Sequence, residues 1–515
     1  MKYSLSFLLL LTSLLTVNAQ DQKIIEYPFN QPGSEPSRGV FGEDDRKEIK
    51  DAEGYKDFAR ATAVMVSKRN IYNNEFYSWS LREKIQNKYG KEVKISEDVR
   101  FLDQPAIGSC SGFLIAPDIL VTAGHCINSM EEAENVVWIF DYTNDMKFIN
   151  NRKLEFDPEN IFEVESIITS KLDDDTDKGY EDDYAVLKLK RKSTRAPYRF
   201  RTSGSVLEGG AINTIGSPKG LPLKFSTNAT VVDNSPNTWF KSDIDSFPGN
   251  SGGPVFDQDG FLEGILVRGA VTYDDDWSLT GDYYYDSSCN CIKTVTWQSV
   301  RYTAGCQAHR ITKIPPHALI TAIYSNIEYA ITNNLKERFD SWEIYNWIFN
   351  HKYTQDNGRF ENLALNYSNT YALESILEFT AEKISDSYAR ELINKAINSN
   401  NIEALEVLLE AELLADAGME SKYTALQKAI IDGNIDVAET LINYGADVKV
   451  KTSSNENLLH IAAKNGNMEL AKLLVKNKVS AKAKNNKKLR PEKVAKKAGH
   501  KSLAKFLKRY RKGKL

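Results

Sequence analysis

"DIDSFPGNSGGPVF", residues 243–256, gathers three glycines and two prolines around Ser251. Small and rigid residues of this kind make a tight turn, and they also suit a loop that presents a nucleophile. What the rest of the chain supplies separates the two readings. A serine hydroxyl attacks poorly until an imidazole takes its proton, and that imidazole needs a group to orient it.

Both partners occur upstream. "CSGFLIAPDILVTAGHC" (110–126) ends an apolar, strand-like run on His125, directly before Cys126. "DDYAVLKL" (182–189) sets Asp183 at the start of another run, with Asp182 and the "DDDTD" run (173–177) offering other carboxylates. Around them, short runs such as "NVVWIFDY", "AINTIGSP" and "FLEGILVRGAVTY" are separated by Gly, Pro, Asn and Asp. That punctuation predicts an all-β barrel or sandwich.

The three segments, in the order His125, Asp183, Ser251, resemble the chymotrypsin/trypsin-like superfamily over residues 59–313, especially its secreted bacterial trypsin-like and glutamyl endopeptidase branch. The order differs from those of subtilisins and α/β-hydrolases. The resemblance implies a chymotrypsin-like double β-barrel that hydrolyses peptide bonds. His125 would act as base and then acid, and the N–H groups of Gly249 and Ser251 would bind the oxyanion. The match of "DYAVLKL" to the family's strand implies that Asp183 fixes the imidazole and that Asp182 is solvated. It also implies a Cys110–Cys126 bridge clamping the loop that carries His125.

Two departures stand out. Animal trypsin-like enzymes hold an aspartate before the nucleophile to pair with a new N-terminus, and here that position is Asn250, which cannot form the ion pair. Asp245 lies six residues before Ser251, where trypsins keep the carboxylate that selects Lys or Arg. A turn-capping role for Asp245 is the plainer alternative. The pocket-wall strand "GILVRGA" (264–270) presents Val267, Arg268 and Gly269 and lacks the histidine of the glutamyl branch. Arg268 would have to receive an acidic side chain if glutamyl specificity held. The acidic stretch 272–291 is read as an exposed loop over the pocket mouth.

The remainder divides by composition. A chain of 515 residues with 41% hydrophobic and 26% charged side chains is expected to form two or three globular domains. "MKYSLSFLLLLTSLLTVNAQ" has a basic start, an apolar run too short to span a bilayer, and a small-residue site after Ala19. Residues 1–19 are read as a signal peptide of a secreted or periplasmic protein, 20–58 as a polar linker or propeptide with little capacity for a core, and no membrane span is expected. Export permits disulfides. Of Cys289, Cys291 and Cys306, two can pair and one is left over. Their spacing does not make a zinc site, and the "DDD" and "DDDTD" runs do not fit a calcium loop, so neither metal nor cofactor is expected.

"KIPPHALI" breaks the strand pattern at Pro315-Pro316, and a helical linker or degenerate repeats follow over 314–387, "SWEIYNWIF" among them. From 388 to 515, Gly433, Gly466 and Gly499 recur with Ala429, Ala462 and Ala495 at the period of an ankyrin repeat. Asn400 stands at the glycine position of the first copy and tolerates the same backbone. The segment resembles ankyrin repeats, which implies an all-α solenoid that binds a protein partner; His460 is read as structural. The last forty residues hold one acidic side chain, Glu492, among many Lys and Arg. They are read as a solvated capping repeat, with an anionic partner as the alternative. The competing reading of the whole is an ankyrin-type interaction protein with a catalytically silent barrel.

Overall fold

A computed structural model describes residues 44–514 apart from 45, 53–54, 74, 151, 174–181, 270–282, 297–304, 337–338, 340–358 and 415–422. The leader at 1–19, most of the 20–58 stretch, the "DDDTD" run beyond Asp173, residues 272–282 and "SWEIYNWIF" lie outside the described residues. The chain divides into two compact units, Met1–Ala322 and Ile323–Leu515.

The first unit is built on two antiparallel sheets. One contains β1 (Thr62–Ser67), β2 (Cys110–Ala116), β3 (Ile119–Thr122), β4 (Val136–Phe140), β5 (Ile161–Phe162), β6 (Val164–Leu172) and β7 (Asp183–Leu189), in the order β5-β4-β1-β2-β3-β7-β6. The other contains β8 (Ala211–Gly216), β9 (Lys224–Asp233), β10 (Trp239–Ser242), β11 (Pro254–Phe256), β12 (Leu262–Arg268) and β13 (Cys306–Arg310). Its order is β9-β8-β11-β12-β13-β10, and pairing of β9 with β10 closes it into a six-stranded barrel. The first sheet remains a half-barrel. Ile212, Val231, Phe240, Val255 and Leu266 fill the closed barrel, each of these larger side chains contributing about 1.5–3 kcal/mol by leaving water.

The polar stretch before residue 58 is corrected by this structure. The Lys47–Glu48 strand pairs with β9 opposite Phe225 and Lys224, and Ile49 is wholly buried. Composition hid this because Asp44, Arg46 and Glu48 are paired, while Lys47, Lys50 and Asp51 stay exposed. Lys224 Nζ meets Glu48 at 2.9 Å, and buried Arg46 holds Asp44 through Nε at 2.8 Å. The described part of 272–291 is likewise no open loop. Tyr283–Asp286 and Cys291–Thr294 form a hairpin whose second strand runs parallel to Lys94–Ile95. Tyr283 and Ile292 join Leu81, Ile85 and Phe247 in a second core beside α1 (Leu81–Tyr89). Cys289 and Cys291 are bridged within this hairpin, while Cys306 remains a buried thiol on β13.

The second unit is helical. Helices α2 (Arg359–Asn366), α3 (Thr370–Thr380), α4 (Asp386–Asn398), α5 (Ile402–Glu410), α6 (Ala425–Asp432), α7 (Ile435–Asn443), α8 (Leu458–Asn465), α9 (Met468–Lys476), α10 (Pro491–Lys497) and α11 (Lys501–Arg511) form successive pairs. Each pair turns on one left-handed residue: Ser368, Asn400, Gly433, Gly466 and Gly499 have φ of 52, 54, 80, 77 and 88°. After the first four, Asn369, Asn401, Asn434 and Asn467 cap the second helix with their side chains. Ser368 and Asn369 carry the same device one pair upstream of residue 388. His460 is fully buried and links adjacent copies through Nε2 and the Leu489 carbonyl at 3.0 Å. At the basic end, Leu503 and Leu507 face inward while most of the Lys and Arg of α11 are exposed. Among the described residues, no helix is long and apolar enough to cross a membrane.

Candidate active site

The loop "TAGHC" leaves β3 and returns against β6 and β7. Gly124 permits that approach, since a Cβ there would sit 2.2 Å from the Lys171 carbonyl oxygen. Asp183, the first residue of β7, is 3% exposed and faces this loop. One carboxylate oxygen accepts the His125 backbone N–H at 3.0 Å, and the other lies 2.7 Å from His125 Nδ1. An ionised carboxylate only accepts, so Nδ1 carries the proton and Nε2 is left as a proton acceptor. The ring itself is about one-third exposed and reaches solvent.

Asp182 is corrected from solvated to engaged. It accepts from buried His309 at 3.1 Å and from Lys171 at 2.6 Å. The His309 bond foremost, with Lys171, holds its carboxyl at about 2 against the opposing effect of burial. The two adjacent carboxylates therefore serve different histidines.

Cys110 and Cys126 are bridged, as the resemblance implied. Their sulfurs and a His125 ring nitrogen lie within 4.8 Å of one another. That grouping does not fit a metal, because both sulfurs are spent in the disulfide and Nδ1 is spent on Asp183. Cys126 Sγ is also 3.7 Å from the Ser251 carbonyl oxygen, so the bridge joins the His125 loop to the serine loop.

Ser251 lies between β10 and β11 on a loop fastened by its carbonyls. Pro248 C=O accepts the Lys219 N–H at 2.6 Å, and Asn250 C=O accepts the Gly253 N–H at 2.8 Å. In a planar trans peptide the C=O and N–H point opposite ways. The N–H groups of Gly249 and Ser251 are thus turned away from those bonds, and neither donates to another group among the described residues. Gly249 adopts φ +105°, and a Cβ would come within 2.3 Å of the Ser217 carbonyl oxygen. Gly252 adopts φ +83°, and a Cβ would come within 2.1 Å of Thr122 Oγ1. Both glycines are required by backbone geometry and close approach.

Sequence reasoning missed Ser111. Its N–H donates to Ser251 C=O at 2.7 Å and its hydroxyl to Gly249 C=O at 2.8 Å, so one residue of β2 pins the loop twice. The only sequence signal was its place beside Cys110. Reasoning also missed Arg46, whose buried guanidinium stacks 4.0 Å from the Phe247 ring centroid on the same loop.

The specificity candidates are less unified. Asp245 is 3% exposed and lies within electrostatic reach of Arg46. Val267 is buried on β12, Arg268 is half-buried beside Gln307, and a Cβ on Gly269 would lie 3.6 Å from Ser246. The buried Asn250 amide oxygen packs against Gly216.

Residues 110–265 match the family of the trypsin-like peptidase domain, and residues 426–475 match ankyrin repeats (many copies). No curated protein matches the chain. The chain therefore combines a trypsin-like peptidase domain with ankyrin repeats, and the first match contains His125, Asp183 and Ser251.

Proposed function

We propose that this chain is an exported serine endopeptidase whose ankyrin repeats bind a protein partner or substrate. The observation that carries the proposal is the buried Asp183 carboxylate on His125 Nδ1, next to a serine loop with two outward N–H groups. Ser251 Oγ attacks the substrate carbonyl while His125 Nε2 takes its proton, and Asp183 stabilises the imidazolium. The tetrahedral oxygen accepts from the Gly249 and Ser251 N–H groups. Collapse expels the amine, which receives the proton from His125, and water then releases the acyl group by the same steps in reverse.

The test is labelling by an active-site phosphonate. Wild type is expected to label and Ser251→Ala to remain unlabelled; an unlabelled wild type favours the silent-barrel reading. Export through residues 1–19 is supported by two disulfides, which persist in oxidising compartments. Sequencing the mature N-terminus tests cleavage after Ala19.

Selection of Lys or Arg before the cut would draw on the Asp245 charge. The buried guanidinium of Arg46 lies within its electrostatic reach, although its own hydrogen bonds go to Asp44, and that partial offset leaves a pocket without strong basic selectivity as a third outcome. Glutamyl selectivity would draw on Arg268. Library profiling of wild type, Asp245→Ala and Arg268→Ala distinguishes the three. The basic end is proposed to be a solvated cap, supported by the inward Leu503 and Leu507.

A further inference from the structure

A cavity of about 220 Å³ opens beside Gly249 and Pro248, with Lys84, Lys88 and Lys219 also in its lining. Three lysines around one opening in contact with the serine loop have no role in the steps above. We infer that this cavity is a subsite for an Asp or Glu side chain on the carboxyl side of the bond that is cut, an inference that rests on the peptidase reading.

The side follows from the lining. In the reading proposed above the acyl half of a substrate meets the pocket wall at Val267–Gly269, and none of those residues borders the cavity. Its walls include Gly108 and Ser109, which lead directly into Cys110 and hence to the bridge beside His125. In the proposed reaction His125 protonates the departing amine, so the leaving segment passes on the side of that bridge.

The ligand class follows from charge. Lys84 and Lys88 stand one turn apart on α1, and no carboxylate among the described residues pairs with either. The Lys84 ammonium instead lies 3.5 Å from the Lys219 carbonyl oxygen. Burial first, and the Lys219 charge second, bring the Lys84 ammonium down to about 8. The opposite charge of an acidic side chain entering the cavity offsets both effects, whereas a basic one adds to the repulsion. Tyr89, whose hydroxyl donates to the Tyr283 carbonyl oxygen at 2.7 Å, and Tyr283 line the cavity and offer ring surface to its methylene stem.

The experiment uses quenched peptides of one sequence before the cut, with Ala, Glu or Lys at each of the first three positions after it. At one of those positions, kcat/KM is expected to be at least tenfold higher for Glu than for Lys, with the ratio falling in high salt. In Lys84→Met and in the surface variant Lys88→Met, the ratio is expected to fall at least threefold each. Phosphonate labelling, which needs no leaving segment, is expected to stay at the wild-type rate. Labelled enzyme with no Glu preference at any position overturns the subsite alone, as does a preference that both variants retain. An unlabelled wild type overturns the peptidase reading and the subsite with it.

Discussion

Asp183→Asn isolates what the buried carboxylate does. The wild-type group accepts twice, from the His125 backbone N–H at 3.0 Å and at Nδ1 from 2.7 Å. An asparagine has one oxygen and one NH₂. The backbone N–H is always a donor, so it claims the oxygen and leaves the NH₂ facing Nδ1. The ring must then accept at Nδ1 and carry its proton on Nε2, where it cannot take the Ser251 proton. Volume and packing barely change. Turnover is therefore expected to drop about 10³–10⁴-fold, or roughly 4–5.5 kcal/mol of barrier, with little change in KM or melting temperature. Steady-state kinetics on a cleavable peptide, alongside thermal melting, measures both. A kcat within tenfold of wild type in a folded variant would refute the assignment of Asp183 to the imidazole.

Gly249→Ala is expected to lower kcat about 10²–10³-fold, the cost of one oxyanion donor, because a Cβ 2.3 Å from the Ser217 carbonyl oxygen forces the peptide to rotate; an unchanged kcat would remove Gly249 from the mechanism. Replacing Cys110 and Cys126 together with Ala opens a loop with a sequence separation of 16. The double variant is expected to lose about 3 kcal/mol of stability in denaturant titration. Burial holds Lys224 down at about 8 against an ordinary 10.5. Between those values the unfolded chain binds the proton and the folded one does not, so stability rises with pH. The wild-type gain from pH 8 to 10 is expected to exceed that of Lys224→Met, and equal slopes would disprove the account.

Legibility in the sequence followed how local each determinant is. His125, Asp183 and Ser251 each sit in a short segment whose neighbours match their task, and the repeat glycines announce themselves by period. Asn400 was legible too, because Asn and Gly share tolerance for the left-handed backbone it adopts at φ 54°. Ser111 was not, since its two bonds to the serine loop cross more than a hundred residues and any serine would look the same in sequence. The segment around Arg46 misled for a different reason. Charge-rich composition predicts solvation, yet Asp44 answers Arg46 and Glu48 answers Lys224, so the charges enter the protein in pairs.

That pairing bears on specificity. Arg46 reaches the serine loop from outside both sheets, stacks on Phe247 and lies near Asp245, the residue a sequence comparison would assign to the substrate. A carboxylate at a familiar position selects a basic substrate only if its charge is offered to the pocket rather than to the protein. Here the buried Arg46 guanidinium, directly before a strand that pairs with β9, is hydrogen-bonded to Asp44 and acts on Asp245 only through longer-range attraction. The positive charge left facing the leaving segment belongs to Lys84 and Lys88. The subsite proposal accordingly expects discrimination after the bond, whatever Asp245 adds before it, and profiling both sides of the cut in one library measures the two selectivities against each other.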